Sequence, residues 1–132
     1  MILVVDANGV GQLVISGGDL GPLHGHELIA PPLMRAETLS SLAEMTYRGE
    51  IPAEAGRVAA LRLGDVAIRL ERPPALDERA WDVARSLGWA KTYDAEYVAL
   101  ALIHDAALVT LDERLRRGAG HIVRMPRPTE LA

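Results

Sequence analysis

Two short apolar runs that each stop at an aspartate, one near either end of the chain, constrain the fold most. Ile2 to Val5 is apolar without a break and runs into Asp6. Ala107 to Leu111, interrupted only by Thr110, runs into Asp112. A strand without polar alternation suits burial on both faces, the habit of parallel sheets covered by helices. The segments between them alternate helical and extended patterns, which implies a parallel sheet with helices on both faces.

A short, glycine-weakened helix follows Asp6, with Leu13, Val14 and Ile15 as its apolar part. Ser16 to Gly25 is rich in glycine and reads as a loop. Glu27 to Ala30 is a weak second strand. Pro31 and Pro32 open a helix to about Arg48, with Leu39, Leu42, Ala43 and Thr46 on its buried face and Gly49 at its end. Pro52 opens another, closed by Gly64, and Val66 to Leu70 is a third strand. Leu76, Ala80, Val83, Ala84 and Leu87 space as a helix that stops at Gly88. Asp94 to Asp105 is apolar almost all round, as a buried helix is. Glu113 to Arg117 is a short helix stopped by Gly118. Ile122 and Val123 read as a last edge strand, before a loose proline-containing tail.

The 132 residues, 49% of them hydrophobic, suffice for one packed domain over residues 1–132. No apolar run reaches the ~18 residues of a membrane span, and the first residues lack the basic lead-in of a signal peptide. The expectation is a cytoplasmic protein with no membrane partner. Without cysteine there are no disulfides and no thiolate metal ligands. A net charge of −4 argues against coating nucleic acid by bulk electrostatics. It leaves open an enzyme that acts on nucleic acid, because bound cations offset clustered carboxylates. Lys91 is the only lysine, and five arginines fall late: Arg114, Arg116, Arg117, Arg124 and Arg127. As a group they suggest a phosphate-facing rim; singly, each reads as solvated surface.

Asp6 and Asp112 directly follow strands, Asp94 starts the buried helix, and Glu37 lies early in the helix after the second strand. In open parallel sheets ligands bind outside the carboxyl ends of the strands. Any one of these aspartates taken alone reads as a helix cap, and Glu37 alone as a solvated residue. Together, four acids on one edge without a nearby lysine repel one another. Hard divalent cations, magnesium above all, resolve that repulsion and can activate water toward a phosphoryl group.

Other signals are weaker. Gly9 and Gly11 start a dinucleotide fingerprint that Val14 breaks. His24 and His26 read as surface histidines, His104 as a satisfied polar group, and Trp81 and Trp89 as packing residues, although Trp89 lies close to Asp94.

The stretches Ile2-Leu3-Val4-Val5-Asp6-Ala7-Asn8, Leu33-Met34-Arg35-Ala36-Glu37, Thr92-Tyr93-Asp94-Ala95-Glu96-Tyr97-Val98-Ala99-Leu100-Ala101 and Leu108-Val109-Thr110-Leu111-Asp112-Glu113-Arg114-Leu115 resemble the PIN-domain family, in particular the VapC-type toxins of bacterial toxin–antitoxin pairs. The resemblance covers essentially the whole chain. It implies a PIN-like three-layer α/β sandwich with a central, mostly parallel sheet flanked by helices. It also implies hydrolysis of RNA phosphodiester bonds by activated water, with magnesium or manganese. By the match, Asp6 and Asp94 are the main metal ligands, and Glu37 and Asp112 complete the site as ligands or orienters of water. Thr110 sits beside the site or serves only as a strand residue. Asn8 stands where many relatives carry serine or threonine. Glu96, two residues from Asp94, points elsewhere on a helix. The family further implies a homodimer and a VapB-type antitoxin, docking around residues 38–63 with Leu39, Leu42, Met45, Val58 and Leu61; core packing explains most of these residues equally well. The competing reading is a catalytically silent α/β binding module whose acids are structural caps.

Overall fold

The computed structural model describes residues 1–131. In chain order it runs β1 (Ile2–Val5), α1 (Ala7–Ile15), β2 (Glu27–Ala30), α2 (Leu33–Tyr47), α3 (Ala53–Leu63), β3 (Ile68–Leu70), α4 (Leu76–Leu87), α5 (Tyr93–His104), β4 (Ala107–Val109) and α6 (Glu113–Ala119). Short 3-10 turns lie at Gly21–Leu23 and Pro128–Leu131. All strand pairs are parallel, in the order β3-β2-β1-β4.

Leu3 and Val4 are wholly buried and Val5 nearly so. Neighbouring side chains on a strand point to opposite faces, so β1 is covered on both sides and the sheet forms the middle of three layers. The helices pack in two groups. α1, α2 and α3 contact one another, while α4 lies on α5, which lies against β1 and β4. The main core joins the strands to α4 and α5, and a small second core of Val14, Leu42 and Ala59 ties α1 to α2 and α3. α5 buries Ala95, Tyr97, Val98, Ala99, Leu100 and Ala101, as its all-round apolar pattern requires. A side chain such as Leu108, fully removed from water, contributes ~1.5–3 kcal/mol by burial.

The strand order decides where the site lies. The chain builds β1, β2 and β3 outward on one side, then returns to place β4 on the other side of β1. This reversal opens a crevice beyond the carboxyl ends of β1 and β4. The register pairs Val5 with Val109, so Asp6 and Thr110 leave the sheet side by side.

Several expectations need correction. Ile122 and Val123 form no strand: both N–H groups donate to the Ala119 carbonyl, and only Leu108 N–H reaches the following segment, at Arg124. Gly118 does not stop α6, which runs on to Ala119 with Gly120 as its cap. A side chain at position 118 would meet Trp89 in ordinary contact, so the helix uses this glycine as a packing surface. The tail is no loose end, because its Pro128–Leu131 turn packs on the Gly21–Leu23 turn. Leu42 is 2% exposed and belongs to the second core, so it is unavailable for docking; Leu39 and Leu61 are exposed. Trp81, expected to pack, is exposed with the Arg85 guanidinium 5.7 Å from its ring centre.

Candidate active site

Asp6, Glu37, Asp94 and Asp112 line one small cavity of about 150 Å³, together with Ala7, Asn8, Ser41 and Tyr97. Four separate elements supply the four acids. No lysine or arginine lines it. A larger cavity of about 470 Å³ adjoins it and shares Glu37, Asp94 and Asp112. A third, mostly apolar, of about 260 Å³, runs along α1 to Leu111 and Pro128 and holds none of the four acids.

The sheet side of the cleft is tightly bonded. Asp6 is 5% exposed. Its Oδ1 caps α1 by accepting from Gly9 N–H at 2.9 Å, and its Oδ2 accepts from the Thr110 hydroxyl. Thr110 is wholly buried, and its Oγ1 also accepts from Asp112 N–H at 3.0 Å. Asp112 in turn caps α6, accepting from Arg114 N–H at 2.9 Å and Leu115 N–H at 3.3 Å through Oδ1. One threonine thus links two acids from neighbouring strand ends. Of the two roles open to Thr110, beside the site or in the strand alone, its contacts are those of a residue that holds the Asp6 carboxylate and the Asp112 backbone at the cleft.

The helical side is looser. Tyr97, buried in α5, donates to Glu37 Oε1 at 2.6 Å. Asp94 caps nothing and lies on the exposed rim. Tyr97 was missed in the sequence as a site residue. Its signal was local: it lies three residues after Asp94 on the same helix face, and a phenol buried in an apolar helix needs a partner.

Burial raises the Asp6 carboxyl above its ordinary value; the Thr110 and Gly9 bonds oppose this, and Asp112 and Asp94 add to it. Burial also raises Glu37, against the Tyr97 bond and with repulsion from Asp94 and Asp6. Asp94 is raised by desolvation and then by Asp112, with Arg114 opposing. Burial, followed by the bond to Glu37, pushes the Tyr97 phenol far up, so it remains a donor. Repulsion among the acids thus adds to burial at Asp6, Glu37 and Asp94.

Among the described residues, no three His, Cys, Asp or Glu side chains stand close enough together to hold a metal ion as they are placed. Each bonded carboxylate is drawn to its own protein donor, so the four line a cavity rather than close on a point. The donor set is all oxygen and anionic, and Asp6, Glu37 and Asp94 are destabilised in the charged form. That is the chemistry a hard divalent cation fits.

Of the five late arginines, only Arg114 lines a cavity with these acids. Arg116 donates to the Thr110 and Met125 carbonyls and to Glu113, and Arg127 also pairs with Glu113. Arg124 lines a different pocket, beside Asp105. Glu96 lines neither acidic cavity. His104 pairs with Glu71 at 3.0 Å. His24 is exposed, but the half-buried His26 leaves its Nδ1 without a partner.

The fold and cleft define a three-layer α/β domain with an acidic crevice at its topological switch point. The family model for the PIN domain matches residues 19–120, which include Glu37, Asp94 and Asp112 and exclude Asp6. The chain is 34% identical over 115 residues to VapC ribonuclease Mb0985 of Mycobacterium bovis, covering 86% of this chain and 88% of that one. The same figures hold for ribonuclease VapC9 of Mycobacterium tuberculosis. The fold is similar to PAE2754 from Pyrobaculum aerophilum, with a TM-score of 0.72 and 25% identity over 99% of this chain and 95% of that one. It is also similar to a chain of VapBC2 from Rickettsia felis, solved with a DNA fragment from their promoter. There the TM-score is 0.67 and the identity 13%, covering 96% and 98%, a likeness of fold alone. The chain belongs to the PIN-domain family and, by its mycobacterial relatives, to the VapC-type group within it.

Proposed function

We propose that the chain is a metal-dependent endoribonuclease, the toxin of a VapBC-type pair, which hydrolyses RNA phosphodiester bonds with activated water. The observation that carries this reading is the convergence of four carboxylates from four elements on one cavity. Caps account for Asp6 and Asp112 in part, as a silent binding module requires. They do not account for Asp94, which makes no capping bond and still faces the cleft at an electrostatic cost. Membership among VapC-type proteins supports the same reading.

Asp6 and Asp94 are the main ligands for magnesium or manganese, with Glu37 and Asp112 as further ligands or orienters of water. The cation, when bound, supplies Lewis acidity and the positive charge that a phosphodiester approaching four carboxylates needs. Thr110 fixes the Asp6 carboxylate. Tyr97 holds one Glu37 oxygen, leaving the other to orient the attacking water. Asn8, exposed on the cavity wall, can donate its amide to a phosphate oxygen. The water oxygen bonds to phosphorus and gives up a proton to solvent, while the bond to the leaving ribose oxygen breaks and that oxygen takes up a proton from solvent.

The partners in this reading are RNA, a VapB-type antitoxin and a second copy of the chain. The exposed Leu39 and Leu61 supply apolar surface for protein contacts. Among the described residues, no helix is long and apolar enough to cross a membrane.

The test is RNA cleavage with magnesium and with chelator, repeated for Asp94→Asn. Activity should depend on both metal and carboxylate, and equal activity of wild type and variant would sink the assignment. Sedimentation at micromolar concentration should give a dimer; a monomer counts against the second copy.

A further inference from the structure

The acidic cavity explains how a phosphodiester could be cut, but not how a polyanion is held against a chain of net charge −4. The adjoining cavity carries the complementary chemistry. Besides Glu37, Asp94 and Asp112, it is lined by Trp89, Ala90, Lys91, Tyr93, Arg114 and Leu115. Gly88 ends α4 in a left-handed turn (φ +72°), and the short connection to α5 brings Trp89, Lys91 and Tyr93 to this wall. Lys91 is exposed and enters no ion pair among the described residues. The Arg114 side chain is 84% exposed, and its Nε lies 3.8 Å from Asp112, too far for a hydrogen bond. Both cations can therefore take a new anion without breaking a strong pair. Arg116 and Arg127 cannot, since both are committed to Glu113.

The aromatics differ from each other in a useful way. Trp89 is half-buried and backed by Gly118 of α6, which makes it a fixed wall. Tyr93 is 56% exposed and directly precedes Asp94. An exposed aromatic that lines the same cavity as two uncommitted cations, one residue from Asp94, fits a base and its phosphate. Only an unpaired base can reach such a platform, because duplex bases are stacked inside the helix.

We propose that this cavity is a subsite for one unpaired nucleotide of single-stranded RNA, next to the scissile phosphate. Tyr93 stacks on the base against the Trp89 wall, and Lys91 and Arg114 hold the phosphate. The proposal rests on the ribonuclease reading and adds to it the residues that take this nucleotide.

The test uses the full chain and a 12-nucleotide single-stranded RNA of mixed sequence, with the matching duplex as comparison. Binding is measured on Asp94→Asn, which holds the RNA uncut. Trp81→Phe, in the same protein, leaves Trp89 as the only tryptophan. The single strand should change Trp89 emission and bind more tightly than the duplex. Tyr93→Ala should weaken single-strand binding about 10-fold and duplex binding hardly at all. Lys91→Ala and Arg114→Ala should each lower the slope of log affinity against log salt by about 0.7. In cleavage by otherwise wild-type protein, all three changes should raise KM much more than they lower kcat. If wild type cuts RNA while the three variants bind it unchanged and Trp89 emission stays constant, the subsite is wrong and the ribonuclease reading stands. A loss confined to kcat also overturns the subsite. Wild type that neither cuts nor binds RNA with magnesium overturns both.

Discussion

The two walls of the acidic cleft are built differently. On the sheet side, Asp6 and Asp112 leave the ends of neighbouring strand segments and are joined through Thr110 and two helix caps. On the helical side, Glu37 has one bond, from Tyr97, and Asp94 has no capping role. Sheet register holds the first wall, and helix packing with one phenol holds the second. Carboxylates on the first wall thus cap helices as well as line the cleft, whereas Asp94 only lines the cleft.

Substitution should separate those roles. Asp94→Asn and Asp6→Ala are both expected to lower metal-dependent RNA cleavage by about 100-fold or more, since loss of a ligand should exceed the usual loss for an outer partner. Their stabilities should diverge. Asp6→Ala removes a helix cap, at a cost of about 1 kcal/mol, and leaves Thr110 without its acceptor. Asp94→Asn removes repulsion and should melt no lower than wild type in chelator. Melting curves beside the activity assay check this, and equal destabilisation by both would erase the contrast.

A smaller effect is expected at the holders of the carboxylates. Thr110→Val strips a wholly buried Asp6 of its hydroxyl donor. It should cost about 10–100-fold in metal affinity or activity and ~1–3 kcal/mol in stability. Tyr97→Phe leaves a half-buried Glu37 that water can reach, so its loss should fall at or below the low end of that range, with little change in stability. Calorimetric metal titration and chemical denaturation measure both. A Tyr97→Phe loss larger than that of Thr110→Val would reverse the ranking of the walls.

The smallest expected effect is in pH. Asp6, Glu37 and Asp94 are raised from ordinary values of 3.8, 4.5 and 3.8. A carboxyl raised in the folded state stabilises the fold below its unfolded value and loses that contribution as pH rises through the folded one. In chelator, the melting temperature should therefore carry a downward contribution as pH climbs out of the ordinary carboxylate range. Magnesium should oppose the fall, and Asp94→Asn should make it shallower. A midpoint that magnesium leaves unchanged at neutral pH counts against the cation.

Element types were largely readable along the chain because they depend on neighbours. Apolar runs marked β1 and β4, helical spacing marked α4, an all-round apolar stretch marked α5, and Gly49 and Gly88 marked helix ends with positive φ. The misreadings arose where particular contacts, near or far along the chain, outweighed the residue pattern. Gly118 stays within α6 with Trp89 packed beside it. Ile122 and Val123 turn back to Ala119 instead of pairing as a strand. Arg116 and Arg127 resembled Arg114 in sequence, but Glu113 engages them and leaves Arg114 at the cleft.

The acids show the same division. Sequence by itself determined that aspartates follow the first and last strands and that another starts the buried helix. Tertiary structure decided that they meet, through the β3-β2-β1-β4 order, and which carboxylates are held. Thr110 reaches Asp6 across 104 positions and Tyr97 reaches Glu37 across 60. Local patterns report backbone geometry over a few residues, whereas these bonds exist only because the sheet and helices bring distant side chains within reach.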